Sequence, residues 1–179
     1  MSSSTQRTLG IGAKTFTYRY LVSDFLGEIG YPSGRKFASC PNGDNQVAWL
    51  SAVKSMTDCQ NGIAPAGASE AYASGIQYTP HRAMSQVTLG NTRVENSMFN
   101  DRLQLSRTRL GTSANTGVCG TGGDEWCVDI AYGSSAARNI GNLSEQTMFA
   151  KKPDGNFLSI KTAYQYDGVN CLATSLGYA

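Results

Sequence analysis

Charge is scarce in this chain. Of its 179 residues 16% are charged, against about 25% in ordinary soluble domains. Glycine, serine, threonine and asparagine fill the gap, which predicts a neutral, polar surface with many loops. The net charge is +2, and it is spread evenly along the chain. Nothing at that level steers a polyanion from a distance. A disordered chain is excluded from the other side. It would be rich in charge and poor in aromatics, whereas nine Tyr and six Phe are present.

Histidine occurs once, as His81. Any Ser-His-Asp or Cys-His arrangement must therefore use that residue. A Gly-x-Ser-x-Gly elbow is absent, since Gly133-Ser134-Ser135-Ala136-Ala137 departs at its last position. There is no Cys-x-x-Cys pair, and one histidine cannot complete a Cys/His zinc set. The expectation is no metal, no cofactor and no identified small-molecule substrate. No apolar run approaches the ~20 residues that span a bilayer, so no membrane partner is expected. The start, Met-Ser-Ser-Ser-Thr-Gln-Arg, has no apolar stretch of signal-peptide type. The default expectation is a cytoplasmic or virion location.

The five cysteines are Cys40, Cys59, Cys119, Cys127 and Cys171. An odd number cannot pair completely within one chain. One reading is five reduced, buried thiols. The other pairs Cys119 with Cys127 and Cys40 with Cys59, leaves Cys171 free, and needs an oxidising setting. The sequence leaves both open.

Residues 1–13 are small and polar and read as an N-terminal arm. The rest, 14–179, reads as one domain. Lys14–Val22 alternates with period two and predicts a strand, as do Met84–Leu89, Leu103–Leu110, Trp126–Tyr132 and Phe157–Tyr166. Val47, Leu50 and Val53 are spaced as on a helix, and Asp44 or Asn45 can cap it, which predicts the main helix at about 46–56. Short helices are predicted at Glu70–Ser74 and from Ser134 through Ala137 to Ile140, a loop or short helix after Val94, and a turn at Ser144–Met148. No internal repeat is evident. The expected fold class is α+β: a mostly antiparallel sheet with one main helix and short helices packed on it, joined by long Gly-rich loops.

Two stretches carry the functional argument. The first is Val118–Gly133, where a Gly-rich loop between Cys119 and Cys127 runs through Asp124, Glu125 and Trp126 into a strand. A phosphate cradle opens a helix and carries a lysine. This loop has two acids and then a strand, so a hairpin edge that makes protein contacts fits better. The second is the group Arg93, Arg102, Arg107 and Arg109. On a strand Arg107 and Arg109 share a face, and with tyrosines nearby that face could hold single-stranded nucleic acid. The bland alternative is a set of salt bridges.

The favoured reading is a non-enzymatic structural or assembly subunit, of the viral coat or tail kind or of the linker or scaffold kind. It would form a homo-oligomer or a larger assembly through Tyr18, Tyr20, Trp126 and Tyr164, because tyrosine and tryptophan bury area while keeping a polar handle. The alternatives are a nucleic-acid-binding module built on Arg93, Arg102, Arg107 and Arg109, and a small hydrolase centred on His81.

Overall fold

Tyrosine, threonine and β-branched residues recur at alternate positions through much of the chain, and this pattern folds into strands alone. The computed structural model describes residues 2–8, 10, 12–52, 70–114, 117–121, 123–133 and 139–178. Among these residues there is no helix. The strands are β1 (Ser2–Thr8), β2 (Gly12–Tyr20), β3 (Leu26–Gly30), β4 (Lys36–Pro41), β5 (Val47–Ala52), β6 (Glu70–Tyr78) and β7 (Met84–Leu89). They continue with β8 (Val94–Phe99), β9 (Leu105–Gly111), β10 (Asp124–Ala131), β11 (Glu145–Lys151), β12 (Phe157–Tyr166) and β13 (Leu172–Tyr178). All 13 belong to one open antiparallel sheet whose strand order is the chain order.

The α+β expectation is therefore wrong. The main helix is β5 where it is described, Val47–Ala52, and residues 53–56 lie outside the described residues. Both neighbours pair with this strand, and Ala48, Trp49 and Ser51 are all buried. A strand packed on both faces loses its alternation, and short apolar runs of that kind imitate helical spacing. The helix at Glu70–Ser74 is the start of β6, the segment after Val94 is β8, and Ser144–Met148 leads into and forms β11. Of the helix from Ser134, residues 134–138 lie outside the described residues.

The chain divides into two compact units, Met1–Gln77 with Val87–Thr92, and Tyr78–Gln86 with Arg93–Ala179. In the first unit, one face of the sheet buries Ala38, Cys40 and Trp49 as a small cluster. Glu28 sits on that face with its carboxylate 3.1 Å from Lys36 Nζ. The other face is aromatic. Phe16 meets Tyr31 edge to face at 5.7 Å, and Phe37 stacks on Tyr72 at 6.0 Å. Arg35 lies over the Tyr72 ring at 5.2 Å.

Most described hairpins share one turn. In those starting at Leu21, Tyr31, Asn42, Thr79, Asn100, Lys152 and Asp167, the first N–H donates to the fifth carbonyl and the fourth N–H to the first carbonyl. The fourth residue is left-handed in each: Asp24, Gly34, Asn45, Arg82, Leu103, Gly155 and Asn170. This is the three-residue hairpin loop whose last residue takes positive φ. Side chains reinforce it. Asn42 Oδ1 accepts from the N–H of Asp44 and Gln46, Asn100 Oδ1 from Arg102 and Gln104, and Asp167 Oδ1 from Val169 and Cys171. The turns that start at Leu21, Tyr31 and Asn42 recur 10 and 11 residues apart, and those at Thr79, Leu89 and Asn100 have the same spacing. In both runs a pair of hairpins thus repeats after 21 residues. The repeat escapes a reading of the sequence because only the backbone conformation recurs, not the residue type. A tyrosine, Tyr20, Tyr78 or Tyr166, precedes the turns at Leu21, Thr79 and Asp167.

Thr92 (φ 66°) and Leu103 (φ 62°) hold left-handed conformations without being glycine. That conformation costs an L-residue about 1–2 kcal/mol, part of which glycine gives back through its freer unfolded chain. Thr92→Gly and Leu103→Gly are each expected to raise stability by about 0.5–1 kcal/mol in urea unfolding, whereas Gly34→Val is expected to lower it. The Asn156 backbone N–H, then its side-chain amide, hold the Asp154 carboxyl below the ordinary carboxylate value. This turn contact is present above the ordinary value and is lost as pH falls through the lowered one. The Asn156 amide resonance is therefore expected to titrate with a midpoint below that of an unperturbed aspartate.

Candidate functional site

The second unit folds around an arginine that water does not reach. Arg109, in the middle of β9, is 1% exposed, and so is Asp124 at the start of β10. Strand pairing sets Arg109 opposite Cys127, and Arg107 opposite Asp129, on one face of the sheet. A register shift between Asp124 and Trp126 turns Asp124 toward the same face. Arg109 Nε donates to Asp124 Oδ1 at 3.0 Å, and Arg109 Nη2 donates to the same oxygen. The other carboxylate oxygen, Oδ2, accepts the backbone N–H of Gly120 at 3.1 Å and of Thr121 at 3.3 Å.

The loop before β10 closes over this pair. Gly117 O accepts from Arg109 Nη1 at 3.0 Å and from Arg107 Nη1 at 2.6 Å. A disulfide joins Cys119 in the loop to Cys127 in β10. Since Cys127 is the register partner of Arg109, this bond pulls the loop across the guanidinium. Two glycines permit the close approach. A Cβ on Gly111 would stand 2.5 Å from Gly123 O, and one on Gly120 would press on the Phe149 ring at 3.0 Å. A buried charge without partners costs several kcal/mol. Here the guanidinium and carboxylate are matched and the loop backbone takes up hydrogen bonds that remain.

The surrounding charges are paired as well. Arg107 Nε bonds Asp129, and Arg93 meets Glu125 at 3.0 Å. Arg102 Nη1 donates to Asn139 O at 2.5 Å. Asn139 in turn bonds Gln104 Oε1 through its side chain. All four arginines are thus committed to acids or carbonyls of their own chain. An open groove of about 320 Å³ lies beside the Arg107–Asp129 pair, lined by Met98, Ser106, Ala131, Glu145 and Thr147 among others. Glu145 is held by Lys161 at 2.6 Å.

The opposite face of this unit is apolar. Register places Leu110, Trp126, Ala150 and Leu158 in one row across β9 to β12, and Thr108, Val128, Met148 and Ile160 in the next. Trp126, Val128, Met148 and Ile160 are all half-buried, and Leu158 is 43% exposed. Every close backbone contact between described elements of this unit runs between sheet neighbours.

The interface candidates separate accordingly. Trp126 and Tyr164 belong to the apolar face of the second unit, and Tyr164 reaches Gln146 Oε1 at 3.5 Å. Tyr18 lies on the aromatic face of the first unit with its hydroxyl 3.0 Å from Ser4 Oγ, and Tyr20 is exposed. His81 stands edge to face with Phe99 at 4.8 Å. Among the described residues its buried Nε2 has no hydrogen-bond partner. Cys40 is disulfide-bonded and Cys171 is free and exposed. Cys59 lies outside the described residues. Among the described residues no helix is long and apolar enough to cross a membrane. The sequence reading missed the pairing of Arg109 with Asp124 and the apolar rows. The even balance of basic and acidic residues after position 90 hints at the first. The second depends on register.

No protein-family model matches the chain, and no curated protein sequence matches it. Solved structures do. A crystal structure of TcdB2-TccC3-Cdc42 superposes with a TM-score of 0.70 at 10% identity over 93% of this chain. One of TcdB2-TccC3 without its hypervariable C-terminal region gives the same values. The Photorhabdus luminescens Tc holotoxin pore gives 0.67 at 11% identity over 91%. The chain spans 7% of the length of each of these chains. At this identity the likeness is one of fold. The neighbours are components of multi-subunit toxin complexes, and they lend no support to a viral coat.

Removing Asp124 takes the carboxylate from a buried guanidinium, so Asp124→Ala is expected to cost about 3–5 kcal/mol in chemical unfolding. Arg107→Ala breaks a pair that is 20% and 34% exposed, and is expected to cost about 1 kcal/mol or less. Equal losses for the two would refute the distinction between the capped pair and its neighbour.

Proposed function

We propose that this chain is a structural segment of a larger protein assembly and that its contacts run through its sheet faces. The observation that carries this reading is the apolar face of the second unit. Leu110, Trp126, Val128, Met148, Leu158 and Ile160 form adjoining rows on one face of the sheet. Half-buried apolar rows ending in the exposed Leu158 leave apolar area on this face that another chain can cover. Trp126 supplies the large amphipathic side chain that carries binding energy at interface centres. The toxin-complex neighbours, in which this fold makes up 7% of a longer chain, support membership of a multi-component complex. The edge strand β13 is exposed at every residue, with Leu172, Leu176 and Tyr178 each more than half exposed. Edge strands of that kind invite further strand pairing.

A nucleic-acid reading is less favoured, because three of its four arginines, Arg93, Arg107 and Arg109, meet Glu125, Asp129 and Asp124 within the fold, while Arg102 meets a carbonyl. In sedimentation at micromolar concentration the protein is expected to run as a species larger than its 19.1 kDa. Val128→Lys with Ile160→Lys is expected to shift it toward monomer by placing two charges in the apolar rows. A wild-type protein that stays monomeric across salt and concentration, and whose Trp126 emission is unchanged by every component of a candidate complex, would overturn the reading.

A further inference from the structure

We infer that the Cys119–Cys127 bond is a redox latch that decides whether the Arg109–Asp124 pair is covered. The loop that covers the pair contributes the carbonyl Gly117 O and the N–H groups of Gly120 and Thr121. All of these lie close to Cys119 in the chain. Of the described loop residues Gly117, Val118 and Thr121 are exposed, and Cys119 supplies the buried side chain. Among the described residues, the only covalent hold on this segment over the sheet is the disulfide to Cys127. The bond closes a loop of sequence separation 8, and such a closure restricts the open states available to the segment. Without it, hydrogen bonds hold the loop, among them those at Gly117, Gly120 and Thr121 and the backbone bonds from Thr112 N–H to Gly123 O and from Asp124 N–H to Thr121 O, all in exchange with water.

The chemistry is thiol–disulfide exchange with a dithiol. A thiolate of the dithiol attacks Cys119 Sγ, the half that is 5% exposed where Cys127 is 0% exposed. The Cys119–Cys127 bond breaks and Cys127 Sγ leaves as a thiolate and takes up a proton. The second thiol of the dithiol then displaces Cys119 Sγ, which is protonated in turn. Two electrons and two protons pass to the protein, and the dithiol becomes a cyclic disulfide. In the reduced state Arg107 and Arg109 lose the shared Gly117 carbonyl, and Asp124 loses both backbone donors. The guanidinium groups that the loop covers in the oxidised form then face solvent beside the groove at Glu145 and Thr147. The outcome is reversible, because the loop remains tethered at Gly111 and Asp124.

Hydrogen exchange on the full chain tests this. In Cys119→Ser with Cys127→Ser, the peptide carrying Gly120 and Thr121 is expected to exchange on the order of 10- to 100-fold faster than in the oxidised wild type. The peptide carrying β12 is expected to stay protected. Unchanged protection at Gly120 and Thr121 would overturn the latch, because the hydrogen bonds alone would then be sufficient. If the double variant does not fold, the wild type is treated with dithiothreitol for graded times and its thiols are counted by alkylation. Loss of loop protection in step with the Cys119 and Cys127 thiols, ahead of β12, supports the latch. Simultaneous loss of protection in the loop and in β12 overturns it, since reduction would then unfold the unit as a whole.

Discussion

A sheet has two faces to shield from water, and among the described residues there is no helix with which to do it. That constraint organises the second unit. One face holds Arg107, Arg109, Cys127 and Asp129, and the chain covers it with its own loop. The other holds Leu110, Trp126, Val128, Met148 and Ile160, all half-buried. Desolvated charges tolerate no loss of partners, so their cover must be built in and locked. Apolar side chains ask only for area, and any well-shaped surface can supply it.

The strands are legible in the sequence where one face is wet and one is dry. β7 and β12 are readable to the residue, and β2, β9 and β10 to within a few residues, because period two survives there. Helices are misread where it does not. Val47–Ala52 packs on both sides, so Val47 and Leu50 look helical, and Asp44 and Asn45 look like a cap although they close a turn. A helical reading of Glu70–Ser74 rests on alanine content, and strand pairing overrides propensity of that size. With 13 strands in line, pairing partners supply most of the energy and local preference supplies little.

The charged residues are legible as a group but not as pairs. The sequence places Arg107 and Arg109 on one strand face. It does not say that Asp124 and Asp129 come from the next strand to meet them, which depends on a register shift at a single residue. The Cys-flanked loop is legible as a Gly-rich, acid-bearing connection that runs into a strand. That one of its acids turns inward to serve a buried guanidinium is not, because a carboxylate after two glycines reads as a surface group. The apolar rows are invisible for the same reason, since Val128, Met148 and Ile160 are distant in the chain and adjacent only through pairing.

The shared hairpin turn has a bearing on how such a chain can change its length. Each turn is self-sufficient: its hydrogen bonds lie within five residues, and its left-handed position accepts Asp, Asn, Arg, Leu or Gly. Two turns and two strands therefore form a cassette. Duplicating or deleting one at the 21-residue spacing leaves the facing of every flanking side chain intact, since an even number of strands enters or leaves. A chain built this way can be extended or trimmed by recombination without passing through a misfolded ancestor, and its descendants would keep the geometry long after they had lost the sequence.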